Sequence, residues 1–280
     1  MQTLKTIAEF RAARRALTGT LGFVPTMGYL HEGHISLVER AKAENTHVVA
    51  SIFVNPTQFG PAEDFARYPR DPEHDLDMLQ RAGVALVYMP PVEEMYPPDA
   101  QTAIEVASLS NLLEGEHRPG HFRGVATVVA KLFNIVTPDR AYFGQKDAQQ
   151  VAVIRRMAQD LNFPIEIVAV PTRRAPDGVA LSSRNVYLNK VERAAASILI
   201  QALSTARDRA IGGERNGPAL RKLMEDVLST EPLAQVEYVS AADADTLQEL
   251  DNASDCAILL STAVRFGNTR LIDNVVVPAI

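Results

Sequence analysis

The chain has 280 residues, 46% of them apolar and 22% charged, with a formal net charge of −6. A chain this long buries about three quarters of its unfolded surface, enough for one large domain or two ordinary ones, and this composition excludes disordered and fibrous classes. The acidic balance excludes a protein whose main task is gripping nucleic acid or an anionic membrane, and a single cysteine, Cys256, excludes an intramolecular disulfide, a thiolate zinc site or a CxxC redox motif.

In chain order, Leu4, Ile7 and Phe10 suggest an amphipathic helix, without the long apolar stretch of a secretory leader. No run approaches the ~18 apolar residues of a membrane span, so the expected address is the cytoplasm. Short apolar runs at 21–24, 48–54, 84–89, 140–143 and 165–170 read as strands, and the segments 34–45, 72–82, 123–136 and 147–161 between them read as helices. Alternating strands and helices predict an α/β fold, a Rossmann-like parallel sheet with helices on both faces. In such sheets ligands bind at the carboxyl ends of the strands. Beyond Pro171 a loop at 172–189 leads into a long helix at 191–211, closed by Gly212-Gly213, and a second helix at 218–229. Strand-like runs follow at 236–239, 257–265 and 271–277. The expectation is a first domain over 1–172 and a smaller C-terminal α+β domain over 173–280.

The stretch Thr26-Met27-Gly28-Tyr29-Leu30-His31-Glu32-Gly33-His34 falls where the first long strand hands over to a helix. Unpaired N–H groups and the positive end of the helix dipole attract anions there. Gly28 and Gly33 allow a ligand close to the backbone, and imidazoles at His31 and His34 can donate to phosphate oxygens whose charge grows as pyrophosphate departs. A zinc-protease pattern would need His-Glu-x-x-His, which this spacing does not provide. The remaining alternative is a polar turn with capping residues.

Further along, Asn55-Pro56-Thr57-Gln58 ends a buried strand, where amides either orient a small polar substrate or simply form a turn. Asp71, Glu73, Asp75 and Asp77 make an acidic helix start that the dipole alone would favour. Arg118 and His121 lie in a loop containing Pro119 and Gly120, which either reaches a substrate carboxylate or is ordinary surface. Gly144-Gln145-Lys146-Asp147 again follows a strand and opens a helix, setting a cation beside an anion-friendly helix start. Asp147 could serve ribose hydroxyls or cap the helix. Leu181-Ser182-Ser183-Arg184, behind the turn residues Pro176-Asp177-Gly178, supplies two hydroxyls and a guanidinium, either a phosphate clamp or a hydrophilic linker.

The segment from Pro25 to His34 resembles the HxGH signature of the pantoate–β-alanine ligase family, within the nucleotidyltransferase superfamily that includes class I aminoacyl-tRNA synthetases. Further blocks match in the same order: Phe53 to Phe59, Tyr68-Pro69-Arg70, Arg118 to Phe122, Tyr142 to Asp147, and Ala180 to Asn185. The resemblance covers nearly the whole chain. It implies an enzyme that condenses pantoate with β-alanine through a pantoyl adenylate, giving pantothenate, AMP and pyrophosphate, on the way to coenzyme A. It implies ATP contacts from Met27, Gly28, Tyr29, Leu30, His31, Glu32, Gly33, His34, Gly144, Gln145, Lys146 and Asp147. Arg173, Leu181, Ser182, Ser183 and Arg184 complete the ATP set, the last four resembling the mobile KMSKS-type loop with arginine in place of lysine.

By the same resemblance His34, His31, Lys146 and Arg184 are the catalytic set, Gln58 and Gln150 bind pantoate, and Gln58 also meets β-alanine. Magnesium is expected with ATP, with Asp75 its candidate ligand. A homodimer is expected, with no nucleic-acid or membrane partner, and the C-terminal domain is expected to form a lid. Two rivals remain: another nucleotidyltransferase making a stable nucleotide-linked product, and a non-catalytic nucleotide-binding module on the same fold.

Overall fold

The computed structural model describes residues 1–61, 63–252 and 255–279. The chain divides into two compact units, Met1–Gln145 with Gln150–Pro171, and Lys146–Gln149 with the chain from Thr172 onward.

In the first unit six strands form one sheet: β1 (Gln2–Leu4), β2 (Leu21–Thr26), β3 (His47–Ile52), β4 (Leu86–Tyr88), β5 (Arg140–Gly144) and β6 (Glu166–Val170). Their order is β1-β4-β3-β2-β5-β6 and every pair is parallel. The helices are α1 (Ile7–Arg15), α2 (Glu32–Glu44), α3 (Pro72–Ala82), the short α4 (Val92–Met95) and α5 (Glu114–His117), α6 (His121–Val136) and α7 (Ala148–Asp160). Ala148 and Gln149, the first two residues of α7, group with the second unit.

Alternate strand residues feed opposite faces, as the pleat requires. Leu21, Phe23 and Val49 pack with Phe10 of α1, Val129 and Phe133 of α6 and Ile154 of α7. Val24, Val48 and Ala50 pack with Val38 and Ala41 of α2 and Leu79 of α3. Burial on both faces is why these strands read as continuous apolar runs. From β2 the chain steps through β3 to β4 on one side, while β5 pairs with the other side of β2. The ends of β2 and β5 therefore flank the point where strand order reverses, where a ligand crevice forms.

The second unit contains α8 (Lys190–Ala195), α9 (Ile198–Ile211), α10 (Gly217–Leu228), β7 (Gln235–Asp243), β8 (Ile258–Phe266) and β9 (Thr269–Val277). The strands form an antiparallel sheet in the order β7-β8-β9, over a core that includes Leu199, Leu203, Leu220, Met224, Leu260 and Phe266. The single helix expected over 191–211 is two helices. At the break the backbone N–H and the hydroxyl of Ser197 both reach the Ala194 carbonyl, at 3.3 and 2.9 Å, so the serine competes with the helical ladder. Both parts of the expected fold class are present. Among the described residues no helix is long and apolar enough to cross a membrane.

Candidate active site

The residues after β2 are held in an unusual backbone. Gly28 and Tyr29 both have left-handed φ, 82° and 51°. A Cβ on Gly28 would lie 2.9 Å from Asp75 Oδ2 and 3.1 Å from Ile52 Cγ2, so glycine is needed for space as well as conformation. Asp75, on α3 and 1% exposed, accepts from the N–H groups of Tyr29 at 2.8 Å and Leu30 at 2.6 Å. Burial pushes its carboxyl up from the ordinary value, against the pull of those two donors. Each oxygen of Asp75, the candidate magnesium ligand, accepts from a backbone donor, so this carboxylate anchors the loop. Among the described residues no group of three or more His, Cys, Asp and Glu side chains could hold a metal ion. The acidic helix start is explained by capping at Asp71, whose side chain accepts from His74 N–H at 3.2 Å.

The anchored loop delivers His31 to the N-cap of α2. Its Nδ1 accepts from Gly33 N–H at 3.1 Å, while its own N–H donates to His34 Nδ1 at 3.2 Å. The rings stand 4.1 Å apart between centroids. A ring nitrogen that accepts from a backbone amide carries no proton, so this hydrogen-bond pattern assigns the proton of each neutral ring to Nε2. Capping thus leaves each ring a donor: Nδ1 satisfies a helix-start amide and Nε2 carries the proton. Glu32 is exposed, Met27 and Gly33 are partly buried, and the Leu30 side chain lies in the core beside Val38, leaving only its backbone for a ligand.

Gln58 is 8% exposed and closes a 3-10 turn, Pro56–Gln58, that Asn55 caps. The bond from Thr57 N–H to Asn55 Oδ1 at 3.3 Å identifies that atom as oxygen, so Asn55 Nδ2 is the donor to Gln58 Oε1 at 3.0 Å. Gln58 is consequently left with its Nε2 hydrogens for other partners, one of them facing the weakly accepting Met27 sulfur at 3.1 Å. Tyr96 OH adds a donor to Asn55 Oδ1 at 2.9 Å, and Asn55 Nδ2 also reaches the Gly124 carbonyl at 3.2 Å. Gly124 matters sterically: a Cβ there would lie 2.3 Å from the Thr57 carbonyl oxygen. Asn55, offered by the sequence chiefly as turn chemistry, is the residue that fixes which way round the Gln58 amide stands.

Arg118 and His121, left open by sequence, belong to the same neighbourhood. His121 Nδ1 lies 2.8 Å from the Gln58 carbonyl and its Nε2 lies 3.1 Å from Arg118 Nη1. Arg118 in turn holds Glu63 through two bonds of 2.9 and 2.7 Å. Burial, with the adjacent guanidinium, pushes the His121 pKa down to about 4. Gly144 ends β5 beside β2, Gln145 opens the 3-10 turn that follows, and Gln150 lies partly buried in the first turn of α7.

Within the second unit, Lys146 Nζ lies 3.5 Å from Asp147 in a 3-10 turn ahead of α7. The Lys146 carbonyl accepts from Asn274 Nδ2 at 2.8 Å. Asn274 follows Asp273, which is 3% exposed and gripped by Arg174 at 2.6 and 2.9 Å. The 172–185 segment is a short hairpin: Leu181 N–H donates to the Arg173 carbonyl at 2.9 Å, Arg174 bridges to Ala180, and Gly178 turns at φ 86°. Ser182 caps the next 3-10 turn by accepting from Arg184 N–H at 3.3 Å, and Ser183 is buried. Neither Asp273 nor Asn274 had a sequence signal, since both sit inside a strand more than a hundred residues from Lys146.

A family model described as pantoate-beta-alanine ligase matches residues 2–276. The chain belongs to the pantoate–β-alanine ligase family. Pantothenate synthetase of Roseiflexus castenholzii is 60% identical over 279 residues, covering all of both chains. That of Chloroflexus aggregans is 61% identical over 98% of this chain and 99% of its own. Among solved structures, the pantoate-beta-alanine ligase of Thermus thermophilus superposes with a TM-score of 0.94 at 50% identity, covering 98% of this chain and 99% of that one. The Francisella tularensis ligase, solved with β,γ-ATP and β-alanine, has a TM-score of 0.78 at 35% identity, covering 98% and 97%. The family makes the chain an enzyme, a ligase of pantoate and β-alanine.

Proposed function

We propose that this ligation is driven by ATP through an acyl adenylate. A pantoate carboxylate oxygen attacks the α-phosphorus of ATP, and the bond to pyrophosphate breaks. The β-alanine amine then attacks the acyl carbon, losing a proton as AMP leaves and the amide forms. A carboxylate is a poor acyl donor, and the mixed anhydride supplies the leaving group it lacks.

The observation that carries this reading is the His31–His34 pair, whose Nδ1 atoms are tied to helix-start amides so that Nε2–H is the donor of each ring. Such donors suit phosphates whose charge grows in the transition state. His31 and His34 are assigned to those phosphates, with Met27 to Gly33 and Gly144 to Asp147 shaping the nucleotide site. Lys146, Ser182, Ser183 and Arg184 are assigned to the triphosphate, Leu181 and Arg173 to the nucleotide, and Gln58 and Gln150 to pantoate. Gln58, whose amide hydrogens are not taken by Asn55, also serves β-alanine.

Magnesium belongs to the co-substrate: the described residues offer no acidic cage, and the ion is held chiefly by phosphates and water. A cytoplasmic homodimer is the expected form, checked by light scattering. The ligands of the Francisella ligase, β,γ-ATP and β-alanine, support the choice of co-substrate and amine.

The test is ATP–pyrophosphate exchange. Exchange is expected only with pantoate present, with AMP as the product once β-alanine is added. Exchange without pantoate, ADP as product, or a nucleotide-linked product that β-alanine does not consume would overturn the reading.

A further inference from the structure

We propose that Glu63, Arg118 and His121 form a positioning relay that holds Gln58 in register for pantoate, acting through its main-chain carbonyl rather than by touching substrate. The inference rests on the assignment of Gln58 to pantoate. It takes its direction from two independent constraints on one imidazole. Arginine has no acceptor, so Arg118 Nη1 must donate to His121 Nε2, across 3.1 Å. A carbonyl has no donor, so His121 Nδ1 must donate to the oxygen of Gln58, across 2.8 Å. Both demands are met by the same neutral tautomer, with its proton on Nδ1. The paired bonds from Arg118 to Glu63 fix the far end of the chain and orient the guanidinium.

Gln58 is consequently held twice. Asn55 sets the roll of its side-chain amide, and His121 sets the height of its backbone. With either hold released, the amide hydrogens of Gln58 no longer meet a substrate at fixed geometry, and such misplacement acts on binding and orientation more than on fold. The burial of His121 fits the same role, because a charged imidazole would present a second donor to Arg118 and break the relay at its middle bond.

Isosteric replacements separate this role from a merely structural one. Asparagine places its amide at the Nδ1 position, whereas glutamine places it at the Nε2 position. His121→Asn is expected to keep pantoate KM within about threefold of the parent, while His121→Ala and His121→Gln raise it roughly tenfold, the scale of one hydrogen bond. The KM for ATP is expected to stay unchanged in all three. Arg118→Met is expected to raise pantoate KM by about threefold, and combined with His121→Ala to add nothing further, as for members of one chain.

Thermal unfolding of each variant checks the fold, and should His121→Ala fail to fold, His121→Gln against His121→Asn decides the point. Unchanged pantoate KM in the alanine and glutamine variants, equal shifts for pantoate and ATP, or additive effects of the double variant would overturn the relay. If the parent enzyme shows no pantoate-dependent exchange, the reading of the site falls first and the relay with it. If the parent shows that exchange and the variants behave like it, only the relay falls.

Discussion

At His31 and His34 the Nδ1 atoms accept from backbone amides, whereas at His121 the Nδ1 atom donates to a backbone carbonyl. The first pair stands on a loop pinned by a buried carboxylate, and its Nε2–H groups are its donors for chemistry. The last residue is partly buried, neutral and linked at both nitrogens. One residue type therefore serves two ends, and the backbone partner of Nδ1 decides which. An amide partner turns the ring into a donor at Nε2. A carbonyl partner turns it into a strut.

Four measurements bear on that contrast. The largest effect is expected from His34→Ala, which should lower pantoate-dependent exchange by on the order of 10²–10³-fold with the fold retained. Full exchange activity in that variant would leave the pair as mere caps. Next is Asp75→Asn, which sets an amide donor against one of the two loop N–H groups. Denaturant titration should show a loss of about 2 kcal/mol, together with reduced exchange that added magnesium does not restore.

The third effect is a pH dependence. Unfolded His121 takes up a proton near pH 6.5, while the folded residue, facing Arg118, Glu63 and Glu114, resists until about pH 4. Its contribution to stability is therefore fully present above pH 6.5 and is lost as the pH falls toward 4, at no more than about 1.4 kcal/mol per pH unit. Stability curves of His121→Asn should lack that part of the slope. The smallest perturbation is none at all: nitrogen NMR of the unaltered protein should show His121 protonated at Nδ1 and His31 and His34 at Nε2. The reverse pattern would erase the contrast.

The sequence exposed those parts of the fold in which neighbours in the chain do the work. Phe23 and Val24, or Val49 and Ala50, are buried on opposite faces of one strand, so an apolar run announces them. Leu4, which the pattern joins to the helix of Ile7 and Phe10, belongs instead to β1, whose three mostly exposed residues gain their place by pairing with Leu86 to Tyr88. The break before α9 hides in Ser197, a residue that sits as readily inside a helix as at its edge. In the site, the histidine pair and the amide of Gln58 were visible, since glycine, proline and strand ends mark such loops. What holds them was not. Asp75 meets the loop across 45 residues and His121 meets Gln58 across 63, and no local pattern records contacts of that range.

The methyl group that Gly124 lacks has a practical consequence for redesign. The first turn of α6 meets the 56–58 turn at residues 121 and 124, and the approach at Gly124 leaves no room for one added carbon. This helix end works as a fixed gauge block against which Gln58 is set. Variants meant to accept a bulkier hydroxy acid should therefore leave positions 121 and 124 untouched and seek space at Met27, whose flexible thioether is a soft wall facing that amide.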